Sequence, residues 1–105
     1  LVNGGNNIAA HAGTQASPSA LANNRWGYRV DSIGGFSTGG AVENNVTTSS
    51  ITYAGIPASG SPNTIKTTGA TASGDTTTVW YAVKADTTNP NGTYSDIVTY
   101  TATTN

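Results

Sequence analysis

No cysteine and no methionine occur in the 105 residues, and histidine occurs once. Without thiols there is no disulfide framework, and the redox compartment is not written in them. Without methionine there is no initiator residue, so Leu1 is expected to be a processed end. Charge is also scarce. Lys, Arg, Asp and Glu make up 9% of the chain, against roughly 25% in ordinary globular proteins. Four basic and five acidic residues leave a net charge of −1, so no basic patch exists for nucleic acid and no polybasic strip for anionic lipid. No apolar run approaches the ~20 residues of a membrane-crossing helix, and no signal-peptide pattern is present. Leu, Ile, Val and Phe are few, as in disordered chains, but disorder also calls for high net charge.

Nineteen Thr, thirteen Gly, eleven Asn and ten Ser take the place of the missing charge. Five Tyr and two Trp sit inside alternating runs, which decides for a folded all-β domain. At this length one domain with one core is expected. A surface carried by hydroxyls and amides is more usual outside bacterial cells, and it points to a secreted, extracellular or cell-surface protein.

The organising stretch runs from Thr76 to Thr104. Read with a period of two, Val79, Tyr81, Val83 and Ala85 share one side, and Trp80, Ala82, Lys84 and Asp86 the other. After Asn89-Pro90-Asn91-Gly92, a run of turn residues, Tyr94, Val98, Tyr100 and Ala102 line one face. Ile97, Thr99, Thr101 and Thr103 line the opposite one. These features predict two consecutive antiparallel strands.

Upstream, Arg25–Asp31 (RWGYRVD) predicts a strand with Trp26, Tyr28 and Val30 on an apolar face and Trp26 as a core anchor. Residues 32–45 read as a Gly-rich loop whose Phe36 plugs an open end of the core. Residues 46–54 predict a strand, and Thr64–Thr68 a short edge strand after Pro62. Residues 8–14 read as a thin strand that Ser17-Pro18 breaks off. With no helical period anywhere, the pattern predicts an antiparallel Ig-like or fimbrial-like β-sandwich of six to eight short strands. Trp26, Tyr28, Val79, Tyr81, Val83, Val98 and Tyr100 are its expected core. Residues 1–22 read as an extended N-terminal arm or a first strand, and 23–105 as the sandwich domain.

Catalytic and metal chemistry find little footing. His11, in AAHAG, has no second His or Cys to share a metal and reads as a surface histidine. Asp31, Glu43, Asp75, Asp86 and Asp96 are scattered singly and in no hydrolase or metalloprotease context. The oxygens of Asp86–Asn91 miss the ligand spacing of a calcium loop and read as a turn held by side-chain-to-backbone bonds. No cofactor, no metal and no enzyme activity is therefore expected, and EDTA should leave the fold intact. Asn45 and Asn91 head N-glycosylation acceptor patterns, which chance also produces in so Asn- and Thr-rich a chain. Lys66 and Lys84 are candidates for a Lys–Asn isopeptide bond, which needs a buried Lys, an Asn and an acid together. For Lys84 the alternative is that its stem lies along Trp80.

The segments NRWGYRVD, YAGIPASGSP, IKTT and DTTTVWYAVKADTTNPNGTYSDIVTYTATTN resemble the C-terminal domain of secreted surface proteins from small-genome bacteria of the Saccharibacteria type. The likeness spans the chain and is most specific over residues 75–105. The closing GTYSDIVTY is also similar to final strands of WxL-type and spore-coat or fimbrial modules. The resemblance implies a cell-surface or filament-forming role, no catalytic residues, and a natural C-terminus at or near Asn105. Fimbrial modules further imply strand donation between subunits.

Two readings follow. The first is a structural surface or pilus-like filament subunit that partners copies of itself by strand addition or edge contacts. In it residues 1–15, with Val2, Ile8 and Ala10 as apolar side chains, complete the sheet of a neighbour, or else pair within their own. The second is an adhesin module for a host or cell-surface glycan, with Tyr53, Trp80 and Tyr81 as the stacking platform.

Overall fold

The structure is a computed structural model that describes residues 1–37 and 51–104. Among these residues every regular element is a β-strand, seven in all. Among the described residues no helix is long and apolar enough to cross a membrane. The chain is all-β, divided into three small sheets. β1 (Val2–Asn3) and β2 (Asn6–Asn7) pair antiparallel. Gly4, at φ 58°, begins their two-residue turn, where a positive φ matches the twist of the strands it joins. β3 (Ala9–Ala10), β5 (Arg25–Arg29) and β7 (Trp80–Lys84) form the main sheet in the order β3-β5-β7. β4 (Ser19–Ala20) and β6 (Thr52–Tyr53) form the third, antiparallel pair.

β5 is the centre of the molecule. β7 covers one of its edges along the whole length, from Arg25↔Lys84 to Arg29↔Trp80. Its other edge has two partners in turn. Ala9 and Ala10 run parallel to Arg25 and Trp26. Ala54 then takes over opposite Tyr28, with backbone bonds of 2.8 and 2.9 Å. The handover falls at Gly27, where a Cβ would run into the Ala54 carbonyl. Only glycine lets the two neighbours share that edge.

Both faces of β5 are covered. Trp26, Gly27, Tyr28 and Arg29 are all buried. Tyr28, Val30, Phe36 and Ala54 form one cluster, with Ile33, Ile56, Ile65 and Val79 packed on it. The Phe36 ring meets that of Tyr28 edge-on at 5.9 Å, so it closes the end of the core as its position in the loop predicts. Leu21, Ile51 and Tyr53 form a second cluster, against which Ala82 packs.

The C-terminal hairpin expected over residues 76–104 does not form. β7 pairs with β5 instead, and residues 85–104 contain no strand. The turn forms at Asp86–Asn89, inside the segment read as a turn held by side-chain-to-backbone bonds but ahead of the Asn89–Gly92 run expected to join the two strands. The Asp86 carboxylate accepts from the Thr88 amide at 2.9 Å, and the Asn89 amide donates to the Asp86 carbonyl at 3.2 Å. Beyond it, Ser95 makes a single antiparallel bridge to Val2 and Asp96 lies 3.7 Å from the N-terminal ammonium. An isolated two-stranded hairpin is marginal in water, whereas a third strand on an existing sheet gains both a ladder and a covered face. The radius of gyration, 14.9 Å, accordingly exceeds the ~13 Å of a compact chain of this size.

The expected core is corrected with it. Trp26 and Tyr28 are buried and Val79 packs on the first cluster, but Tyr81, Val83 and Tyr100 are exposed and Val98 is half-buried. Thr64–Thr68 is not a strand, although its Ile65 reaches the core. The strand expected over residues 46–54 survives as Thr52–Tyr53, its first five residues lying outside those described. Asn45, Glu43 and Asn105 lie outside them too.

Candidate functional site

β7 presents exposed apolar side chains beside an edge unpaired among the described residues. Cross-strand partners share a face, so Tyr81 and Val83 stand beside Tyr28 and Trp26, while Trp80 and Ala82 stand beside Arg29 and Gly27. The covered side is opposite to the expected one: Trp80 and Ala82 are partly buried, whereas Tyr81 is 46% and Val83 52% exposed. Tyr100 and Ile97, at 57% and 88%, continue the apolar surface along the tail. The Tyr81 and Tyr100 hydroxyls meet in a short hydrogen bond. Partial burial, and then the Tyr100 hydroxyl, push the Tyr81 phenol above its ordinary range. The main sheet ends at β7, and among the described residues no strand pairs with its outer edge.

A cleft of about 440 Å³ opens on the other side of the strand. Trp80, Asp31, Lys66 and Thr76–Thr78 line it. Its charges are held in local pairs. Asp31 Oδ1 accepts from Arg29 Nε at 2.8 Å, and the Lys66 ammonium sits 3.0 Å from Asp75. Among the described residues, nothing hydrogen-bonds Thr76, Thr77 or Thr78 by hydroxyl or backbone, and the indole N–H of Trp80 is equally free.

Arg29 is the fixed point behind the cleft. It is fully buried, and its guanidinium is shared among three acceptor sites. Nε reaches Asp31, Nη1 the Thr52 carbonyl at 3.2 Å, and Nη2 the Ser37 carbonyl at 2.6 Å. The Phe36 ring lies 5.5 Å from its Cζ, near enough for a cation–π contact. Burial raises the Tyr53 phenol above its usual value, and the charge of Arg29 partly offsets this. Burial likewise raises Tyr28, whose hydroxyl accepts from Asn63 Nδ2 at 2.7 Å.

The residues singled out from the sequence are dispersed. Tyr53 is buried, Trp80 faces the cleft side and Tyr81 the opposite side, so the three do not make one platform. In the arm, Ile8 is buried, Val2 is 49% exposed and Ala10 is exposed; its strand β3 pairs with β5 of the same chain. Lys66 and Lys84 are both exposed, and Lys66 contacts Asp75 with no Asn, unlike a buried isopeptide triad. His11 is buried, not on the surface. Its Nε2 lies 2.9 Å from Ser19 Oγ and its amide donates to the Trp26 carbonyl. The parallel pairing of β3 draws it against Gly27, whose missing side chain leaves the room.

Arg29 was not singled out from the sequence; Asp31 stood there only as one of five scattered acids, and Thr76–Thr78 only as the start of a strand run. An arginine at an alternate position of a central strand is the one local signal. Its acceptors lie up to 23 positions away, beyond the reach of periodicity. Comparison of the chain with family models, with curated proteins and with solved structures finds no match.

Proposed function

We propose that the chain is a non-enzymatic structural subunit of a secreted or cell-surface assembly, joined to other copies of itself through the outer edge of β7. The observation that carries this reading is the coincidence of an open strand edge with exposed Tyr81 and Val83 on the same strand. Unpaired edge groups invite strand addition, and proteins that remain monomeric blunt them with charge, Pro or bulges. β7 carries only Lys84 for that purpose.

The sequence WYAVK is also self-complementary. Antiparallel pairing of two β7 strands about Ala82 sets Tyr81 against Val83 and Trp80 against Lys84. The first is an aromatic–β-branched pair, worth roughly 0.2–1 kcal/mol. The second brings an ammonium to an indole, worth about 0.5–1 kcal/mol at an exposed site. Each occurs twice across the two-fold axis. With β1 and β2 paired to each other and β3 paired to β5 of the same chain, edge contact is favoured over donation of the arm. The two-layer Ig-like sandwich belongs to the same proposal: the Tyr81–Val83 side is where a second layer would pack once copies are joined. Low charge and a hydroxyl-rich surface support the extracellular setting.

Sedimentation velocity over a concentration series tests the reading. The expected result is reversible association of the native chain that Val83→Lys abolishes without loss of β-structure. A native chain that remains monomeric at every concentration would overturn it.

A further inference from the structure

We propose that the cleft beside Trp80 binds a neutral glycan, a role beyond assembly. Three features of the cleft select this class. Its volume, about 440 Å³, lies within the ~300–1,000 Å³ of small-molecule sites. Its wall includes a partly buried tryptophan, the side chain best suited to lie against the C–H face of a sugar ring. Thr76–Thr78 also line it, and their hydroxyl and backbone groups make no hydrogen bond among the described residues. A ring carrying hydroxyls needs such mixed donors and acceptors.

The charges argue for a ligand without charge of its own. Asp31 is held by Arg29, and Lys66 by Asp75. An anion entering the cleft would meet the Asp31 carboxylate, and a cation would meet the Lys66 ammonium and an Asp31 whose charge Arg29 already balances. A hydroxyl loses nothing to either. It can donate to Asp31 Oδ2, which has no protein partner among the described residues. Of the three aromatic residues first considered for a sugar platform, Trp80 alone lines this cleft.

The test is an NMR titration of the full chain with three probes: cellotetraose, the β-1,4-linked tetramer of N-acetylglucosamine, and an anionic hyaluronan tetrasaccharide. The expected result is saturable shifts with at least one neutral probe, centred on the amides of Ser32 and Thr76–Thr78 and the indole N–H of Trp80. The anionic probe should bind more weakly. Trp80→Phe should weaken binding by about tenfold or more, the equivalent of ~1.4 kcal/mol. Thr77→Val, at a residue outside any strand, should weaken it while leaving the spectrum otherwise native. No saturable shifts with either neutral probe, shifts centred on Tyr81 and Tyr100, or tighter binding of the anionic probe would each overturn the proposal. Because a β7 pair would bring Lys84 of one copy to Trp80 of the other, the titration is repeated in Val83→Lys, which removes association and leaves the cleft to be read by itself.

Discussion

β5 and β7 are neighbours of equal length, RWGYR and WYAVK, paired residue for residue along one ladder. Both carry two large aromatic or β-branched side chains on their common face. Yet Trp26 is 7% exposed and its cross-strand partner Val83 is 52% exposed. Tyr28 and Tyr81, also partners, are 4% and 46% exposed. The difference comes from what lies over each strand. β5 has a neighbour on both edges, and loops from residues 33 to 36 and 54 to 65 bring Phe36, Ile56 and Ile65 over the cluster that holds Tyr28. Among the described residues β7 has a neighbour on one edge, and the Tyr100 hydroxyl is the tail group hydrogen-bonded to Tyr81. Alternation settles which side chains share a face; coverage is settled by distant segments.

The largest expected effect falls on the covered strand. Trp26→Ala should cost about 3–5 kcal/mol, as removal of a buried aromatic ring does elsewhere. A denaturant midpoint that does not move would place Trp26 outside the core and erase the contrast with Val83. Next comes Arg29→Ala, which leaves Asp31 and the Ser37 and Thr52 carbonyls without their donor. Loss of one partner from a buried ionic network costs roughly 3–5 kcal/mol, and the partial exposure of Asp31 should hold this case near the lower figure. An Arg29→Ala protein as stable as the native one would show that the network is not needed.

Alkaline pH sharpens the comparison through the phenols. Tyr28 and Tyr53 are both raised, chiefly by burial. A phenol whose folded-state pKa is raised contributes stability in full below its unfolded value, near ~10. That stability is lost as pH rises through the higher folded-state value, because the unfolded chain ionises first. The melting temperature should therefore fall above pH ~10, and Tyr53→Phe should make the fall shallower. A melting temperature that is flat across this range would contradict the burial of both rings. The smallest effect is expected at Val83→Ala, within about 0.5 kcal/mol for the monomer, as for exposed positions generally. A loss as large as that of Trp26→Ala in dilute solution would mean that the β7 face is covered within the chain.

The strand at Arg25–Arg29, two residues shorter than expected, the burial of Trp26, Tyr28 and Phe36, and the turn at Asp86–Asn89 were legible because each rests on local chemistry: alternation, ring size, or an Asx side chain beside its own backbone. The partner of β7 was not legible. Its own alternation fits equally a hairpin with residues 94–104 and a ladder with β5, and the choice depends on which partner brings a covered face. His11 misled for a related reason. Nothing in AAHAG announces that a parallel pairing will press it against Gly27, a residue 16 positions on. Of the cleft, Trp80 was visible as an aromatic residue. Its alignment with Asp31, Lys66 and Thr76–Thr78 required the fold.

The most direct test of β7 as an assembly edge is amide hydrogen exchange along Trp80–Lys84 at increasing protein concentration. Amides directed toward β5 should be protected throughout, since that ladder is internal to the chain. Amides directed outward should exchange freely when dilute, gain protection as concentration rises, and lose that gain in Val83→Lys. Outward amides whose exchange is fast and unchanged at every concentration would contradict the account.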